Sequence, residues 1–247
     1  MSMNEKAENY EVTWESTVHV KGNLTPSDLR EIVDSSIRWY AYNTHLDLSE
    51  TRGLFSDFDG EDWESMFADC SKLREITFPA NMDIFAPVFI FYAGPCYHHI
   101  TYDGDNETYA SPALRKVHIA PGNKVYRSID GVVYAGKSLV YFPPYNKTRA
   151  IPDGIESIRD GAFYYYAHED WPSVEIEIPE SIRRIGFYAF NGTCVYKIHY
   201  KGTIEQLKKI CGIDDYLSSE VIPIVFHCSD GDAASKVYID SDYAELF

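Results

Sequence analysis

Basic charge is scarce in this chain. Twenty-two Lys and Arg stand against 38 Asp and Glu, a formal net charge of −16. Nucleic acid and anionic membrane surfaces are bound through clustered Lys and Arg, so neither is expected as a partner. Long hydrophobic runs are also missing. The longest apolar stretch, Ile84 to Ala93, is far shorter than a bilayer span, and no membrane insertion is expected. The N-terminus is polar and lacks the basic start and apolar core of a secretory leader. A native N-terminus would keep the chain in the cytoplasm, whereas a leader already removed would place it at the cell surface or outside, and the sequence leaves both open. Cysteine is sparse and scattered: Cys70, Cys96, Cys194, Cys211 and Cys228 are odd in number and have no metal or disulfide spacing. No nucleophile elbow, phosphate-cradling glycine loop or dinucleotide fingerprint occurs, so the reading is non-catalytic, with no cofactor.

What the sequence does have is a pattern written twice. Ile151-Pro152-Asp153-Gly154-Ile155-Glu156-Ser157-Ile158 leads to Ala162-Phe163, and Ile178-Pro179-Glu180-Ser181-Ile182-Arg183-Arg184-Ile185 leads to Ala189-Phe190, an offset of 27 residues. A fixed period of that size signals a solenoid whose units must stack to bury their apolar faces. Alternation in Val174 to Ile178 makes a half-buried strand, and the proline after it has no amide hydrogen, so pairing stops and the chain turns. The isoleucines at the fifth and eighth positions point inward again. The Ala-Phe pair completes a layer, with a small residue where backbones crowd and a ring filling the space beside it.

These residues resemble the BspA-like (Treponema-type) leucine-rich repeat. Met66 to Pro79, with Phe67, Cys70, Leu73 and Ile76, is similar to the junction between its units. Val117-His118-Ile119 followed by Ser128 to Tyr134 resembles its variant with an inserted hairpin, and Ile198 to Thr203 with Gln206, then His227 to Gly231, its closing unit. The resemblance covers roughly residues 44 to 231. It implies a mixed α/β leucine-rich-repeat solenoid, a curved right-handed coil with a sheet on the concave side and short helices and turns on the convex side. It also implies the family's usual role, adhesion to host or neighbouring-cell proteins, with extracellular matrix or another cell-surface protein as the partner. Cys70 and Cys194 fall in the family's core cysteine slot and are read as small buried groups. An intracellular interaction scaffold is the alternative function.

Taken in order, residues 1–43 are expected to form an N-terminal cap. A polar tail over 1–13 joins a strand around Tyr10 to Val20, and Thr25-Pro26-Ser27-Asp28 is a capping box opening a helix with Leu29, Ile32, Val33 and Ile37 on one face. The solenoid follows over 44–202, with His45 to Ser49 as its first rung and Trp63, Met66, Phe67 and Cys70 at helical spacing. Insertions are expected near 80–112 and 128–144, the latter a hairpin turning at Ala135-Gly136-Lys137. Residues 203–247 form the C-terminal cap: a second capping box at Thr203 and Gln206, a helix with Leu207, Ile210 and Cys211 inward, a strand over Val221 to Phe226, and an acidic tail from Asp230.

If Ile76, Phe78, Val117, Ile119, Ile176, Ile178, Ile198 and Tyr200 point inward, alternation turns their neighbours outward. One outward column is Thr77, His118, Glu177 and His199; the other is Glu75, Lys116, Glu175 and Lys197. Rungs about 4.8 Å apart would make Glu177 and His199 neighbours, and likewise Glu175 and Lys197. Two readings stand: cross-strand charge pairing on a solvated face, or a ligand-binding strip, since such faces are the usual contact surface of repeat proteins. Tyr165 and Trp171, in the ring-rich stretch from Tyr164, join the candidate surface because exposed rings supply contact area at low entropic cost. Cys96 with His98-His99, and His168-Glu169-Asp170, lack metal-ligand spacing. Asp57-x-Asp59-Gly60 and Asp103-x-Asp105 lack a calcium loop's closing glutamate, so no metal site is assigned. The sequons at Asn23, Asn106, Asn146 and Asn191 are read as chance.

Overall fold

A computed structural model describes residues 4–6, 10–14, 16–38, 43–55, 63, 66–67, 70, 72–85, 114–163, 174–187, 189–190, 195–217 and 224–234. The architecture is mixed α/β, with sheets and few, short helices. The chain divides into two compact units, one formed by residues 1–136 and 140–147, the other by 137–139 and 148–247.

In the first unit, β1 (Asn4–Lys6), β2 (Tyr10–Trp14) and β3 (Thr17–Asn23) form an antiparallel meander. The expected tail is therefore partly strand, and the single strand read over Tyr10 to Val20 is two strands. The polarity of Asn4-Glu5-Lys6 hid β1, because a strand at a sheet edge needs backbone pairing more than apolar side chains. The capping box forms as written: Asp28 N donates to Thr25 Oγ1 at 3.2 Å, and Thr25 N donates to Asp28 Oδ2 at 2.8 Å. It opens α1 (Pro26–Ile32), which continues into a π-helical turn over Val33–Arg38 and buries Leu29, Ile32, Val33 and Ile37.

After α1 the chain adds parallel strands, β4 (His45–Arg52), β5 (Glu75–Phe78) and β6 (Lys116–Ile119), in the order β1-β2-β3-β4-β5-β6. Val18, Leu46, Ile76 and Val117 share one register row, and all four are buried. Behind the sheet Trp63, Met66, Phe67, Cys70 and Leu73 are fully buried, joined by i to i+3 backbone bonds at Met66, Cys70 and Leu73. Phe55 stacks on Trp63 at 5.0 Å, and edge-to-face contacts run from Phe55 to Phe78, Phe78 to Phe85 and Phe85 to Tyr126. The unit closes with an antiparallel pair, β7 (Tyr126–Ile129) and β8 (Val132–Ala135), joined at Asp130-Gly131, both with positive φ. Asp-Gly is the sequence such a two-residue turn demands. The hairpin thus opens one strand earlier than the sequence suggested, ahead of the Gly136-Lys137 turn.

The second unit is built from two parallel ladders. β9 (Ser138–Tyr141) starts in it and ends in the first unit; β10 (Ser157–Ile158) and β12 (Arg184–Ile185) pair behind β9, and Cys211 extends the ladder by a bridge to Arg184. β11 (Val174–Ile178), β13 (Val195–Tyr200) and β14 (Val225–Cys228) form the other ladder, preceded by an Ala150–Glu177 bridge and closed by antiparallel β15 (Gly231–Ala234). Each 27-residue unit feeds one stretch to each ladder. Contacts between copies keep the same offset: Gly154 N donates to Ser181 Oγ, and Phe187 N donates to Asp160 Oδ1 at 3.0 Å. Ile155, Ile158, Ile182 and Ile185 are buried, as are Ala162 and Ala189. Phe163 stacks on Phe190 at 5.0 Å, and Phe190 meets the edge of Tyr216 at 5.7 Å. Burying one such ring stabilises by about 3 kcal/mol.

The second capping box also forms: Gln206 N donates to Thr203 Oγ1, and Thr203 N donates to Gln206 Oε1 at 2.7 Å. It opens α2 (Ile204–Leu207), and α3 (Asp214–Leu217) follows. Leu207 and Ile210 are inward, but Cys211 is exposed. Its backbone pairs with residues 183 and 185, and that extended conformation turns its side chain away from the core reached by Ile210 and Ile213. The last strands are β14 and β15, so residues 231–234 are strand rather than tail; 221–223 lie outside the described residues.

Candidate protein-binding face

The outward residues of both ladders are where alternation puts them, but they occupy two sheets. Glu75 and Thr77 lie on β5 and Lys116 and His118 on β6, in the first unit; Glu175 and Glu177 lie on β11 and Lys197 and His199 on β13, in the second. Each column of four therefore splits into two pairs. Between β6 and β11 the chain enters the other ladder of the second unit, a break that side-chain alternation within single strands does not report. Tyr165 and Trp171 lie outside the described residues, as do Cys96, His98, His99, His168 to Asp170, Asp57, Asp59, Asp103, Asp105 and Cys194.

One constellation is built twice. In the first unit Glu75 Oε2 lies 2.9 Å from His118 Nε2 and Oε1 lies 3.6 Å from Lys116 Nζ. In the second, Glu175 Oε2 lies 3.1 Å from His199 Nε2 and Oε1 lies 3.2 Å from Lys197 Nζ. A glutamate on one rung is held by a Lys-x-His on the next, the lysine in register and the histidine two residues on. The parallel ladder explains the match, since both outward residues of the second strand lie within reach of a long carboxylate on the first.

The in-register pair Glu177 and His199 do not engage each other's charge. His199 reaches diagonally to Glu175, while Glu177 takes Lys201 at 2.9 Å. The His118 hydrogen bond and the Lys116 charge outweigh the burial that alone would raise the Glu75 carboxyl, and its pKa falls below the usual glutamate value. Hydrogen bonds donated by His199 and then Lys197 lower that of Glu175, and those that Lys201 donates to Glu177 and Asp153 raise its own.

Further residues complete each cluster. In the first unit His45 Nε2 sits 2.9 Å from Thr77 Oγ1, its ring centroid is 6.1 Å from that of His118, and His19 Nδ1 meets Asp47 Oδ2 at 3.1 Å. Burial lowers the His45 pKa. The Asp47 carboxyl also falls, because hydrogen bonds from Ser49 and His19 outweigh its burial. In the second unit the rings of His199 and His227 stack at 5.3 Å, and His227 Nδ1 meets Asp232 at 2.8 Å. The alternation of His45-Leu46-Asp47-Leu48 could have flagged His45 and Asp47. Nothing local flags His19 or His227, whose places depend on which strands become neighbours.

Beside Glu177 the row carries a methyl group: Ala150, Glu177, His199 and His227 follow one another across the ladder. That step in size leaves an open cleft of about 550 Å³ lined by Arg149, Ala150, Glu175, Glu177 and His199. Among the described residues no three His, Cys, Asp or Glu side chains converge as a metal ion requires, and no helix is long and apolar enough to cross a membrane. Asn146, one of the sequon residues, is buried and donates to the carbonyls of Arg115 and Asp130, a structural role.

Residues 145–211 match the family model of the BspA type leucine rich repeat region (6 copies). This stretch carries BspA-type leucine-rich repeats. It contains both written copies of the pattern; the segments 66–79, 117–134 and 227–231, which resemble the family, lie outside the match. Among solved structures the chain is similar to a leucine-rich repeat protein from Eubacterium ventriosum, at 15% identity over 81% of this chain and 73% of that one, with a TM-score of 0.29. It is also similar to the pneumococcal vaccine antigen PcpA, at 12% identity over 79% and 69%, TM-score 0.36. A third likeness is to a leucine rich cell surface protein from Faecalibacterium prausnitzii, at 12% identity over 85% and 97%, TM-score 0.25. No curated protein matches the chain.

Proposed function

We propose that this is a non-catalytic protein-binding and adhesion module that recognises its partner through the outward face of its parallel ladders. The observation that carries the reading is the repeated clamp, Glu75 with Lys116 and His118, and Glu175 with Lys197 and His199. Ion pairs as open to solvent as these, exposed in the second unit and half-buried in the first, contribute only modestly to stability, so their recurrence is better accounted for by what they present than by what they hold together. The BspA-type repeats at residues 145–211 support the same reading. The proposed architecture is a solenoid over 44–202 with end caps over 1–43 and 203–247. Such a framework presents side chains already fixed by backbone pairing, and little ordering cost remains to be met on binding. Tyr165 and Trp171 join Glu75, Thr77, Lys116, His118, Glu175, Glu177, Lys197 and His199 in the proposed surface. The proposed partner is a protein of the host extracellular matrix or of a neighbouring cell surface.

The test is binding of the intact chain and its charge-reversal variants Glu177→Lys and Lys197→Glu to an immobilised extracellular-matrix preparation, with melting temperatures in parallel. Weakened binding at unchanged melting temperature supports the face. Binding unchanged in both variants overturns it.

A further inference from the structure

The first unit carries a second feature, independent of the clamps. β4 is eight residues long and β5 only four. The two strands pair over His45–Asp47 and Glu75–Thr77, after which Pro79 turns the chain away. The far half of β4, Ser49 to Arg52, thus overhangs its neighbour. On its other side it stays paired with β3, Lys21 opposite Glu50, Gly22 opposite Thr51 and Asn23 opposite Arg52. Among the described residues, no backbone hydrogen bond joins Ser49–Arg52 to the turn at Pro79–Met82.

A register shift begins this half. From His19 opposite Asp47 to Lys21 opposite Glu50, β3 advances two residues and β4 three, so β4 bulges at Leu48-Ser49. The extra residue is pinned locally, Ser49 N donating to Asp47 Oδ1 at 2.9 Å. Bulges re-aim side chains and end pairing, and they gather beside functional sites. Here the bulge keeps Glu50 and Arg52 outward and Thr51 inward while β5 departs. The far end is also locked. Gly53 has φ +88, and a Cβ there would stand 2.6 Å from Asn23 Oδ1 and 2.7 Å from the Leu24 carbonyl oxygen, so only glycine lets the chain turn so close to Asn23.

The overhang faces an open cleft of about 600 Å³, bounded by Lys21 to Asn23, Ser49 to Arg52, and Ala80 with Asn81. Its walls are amides, hydroxyls, charges and small residues, with no aromatic or large aliphatic side chain. That excludes the apolar small molecules which most ligand pockets take, and suits a guest that binds through main-chain groups. Lys21 is paired with Glu50 at 3.1 Å, whereas Arg52 is exposed and forms no ion pair among the described residues.

We infer that the overhanging edge of β4 is a docking site for a short extended peptide, which adds as a strand beside Ser49–Arg52 and sets an acidic side chain against Arg52. Four residues of strand span about 13 Å, enough for main-chain bonds to supply affinity while Arg52 supplies selectivity. The guest is a protein segment, as in the proposed function, but the site is separate from the clamps and stands or falls without them.

The experiment screens the intact chain against a fluorescent library of random hexapeptides, acetylated at one end and amidated at the other. Selected peptides are then measured on the variants Arg52→Glu, Ala80→Tyr and Glu177→Lys, and again with alternate backbone amides N-methylated. Selected peptides should carry an acidic residue. Loss of one charge-assisted contact should lower affinity about tenfold or more in Arg52→Glu. Ala80→Tyr, which fills the cleft, and N-methylation, which removes main-chain donors, should each weaken binding, while Glu177→Lys should not. Enrichment of no peptide, equal binding to wild type by Arg52→Glu and Ala80→Tyr, or binding that survives N-methylation would each overturn the inference.

Discussion

Gly186 sits where one repeat rests on the previous one, and Gly186→Ala measures that contact. Its amide donates to the Ile158 carbonyl, and its own carbonyl accepts from the Tyr216 hydroxyl at 2.9 Å. A Cβ at Gly186 would stand 2.3 Å from Asp160 Oδ1, 2.4 Å from Asp160 N and 2.6 Å from the Arg159 carbonyl carbon. Two of these are backbone atoms that cannot swing aside, and the neighbouring rung would retreat by about 0.6 Å to reach the closest contact real Cβ atoms keep. Overpacking of this kind costs up to about 3 kcal/mol, and strain on the Phe187 N to Asp160 Oδ1 bond adds roughly 1 kcal/mol. Gly154→Ala is the control. Gly154 has φ +84 but open space where its Cβ would go, so the substitution costs only the left-handed backbone, about 1 kcal/mol. Urea denaturation followed by circular dichroism, with hydrogen exchange at the Ile158 and Ile185 amides, reads both. If Gly186→Ala costs no more than Gly154→Ala, the close seating of one repeat on the next is wrong.

Two more predictions concern stability. Phe190 is buried between Phe163 and Tyr216, so Phe190→Ala should cost about 3–5 kcal/mol by the same denaturation assay, and a loss below 1 kcal/mol would contradict the ring stack. His45 is held below its ordinary value of 6.5 by burial, opposed by Glu75 and Asp47 and assisted by His118 and His19. As pH falls below 6.5 the unfolded chain takes this proton first, so stability drops from 6.5 down to the folded pKa and is unaffected above it. Glu75 is lowered below 4.5, so its contribution is present above 4.5 and lost as pH falls further. His45→Gln should remove the upper step in melting temperature against pH and leave the lower one; an unchanged upper step would refute the assignment.

Much of this fold was legible because its signals are local. Both capping boxes need only a Thr and an acceptor three residues on. The inward isoleucines and the Ala-Phe pairs follow from alternation and the 27-residue offset, and the same offset reappears in the bonds from Gly154 to Ser181 and from Asp160 to Phe187. What failed depended on which strands become neighbours. β1 is polar and exists through its pairing with β2. Cys211 looked inward by helical spacing but belongs to a strand ladder. The outward direction of the eight strand residues follows from alternation, but no local pattern could say that they divide between two sheets or that the ion pairs run diagonally, with His199 on Glu175 rather than Glu177. The bulge in β4 was hidden because Asp47, Leu48, Ser49 and Glu50 read as ordinary alternation until β3 sets the register.

The most direct measurement of the central claim places a photo-crosslinking benzoylphenylalanine at Val225, beside Lys197 on the outward face, and in a second protein at the exposed Arg159 of the other ladder. Both are irradiated with the extracellular-matrix preparation, and adducts are identified by mass spectrometry. Position 225 should yield a defined protein adduct that is lost in Glu177→Lys and absent from position 159. Adducts of equal yield from both positions, or none from position 225, would contradict it.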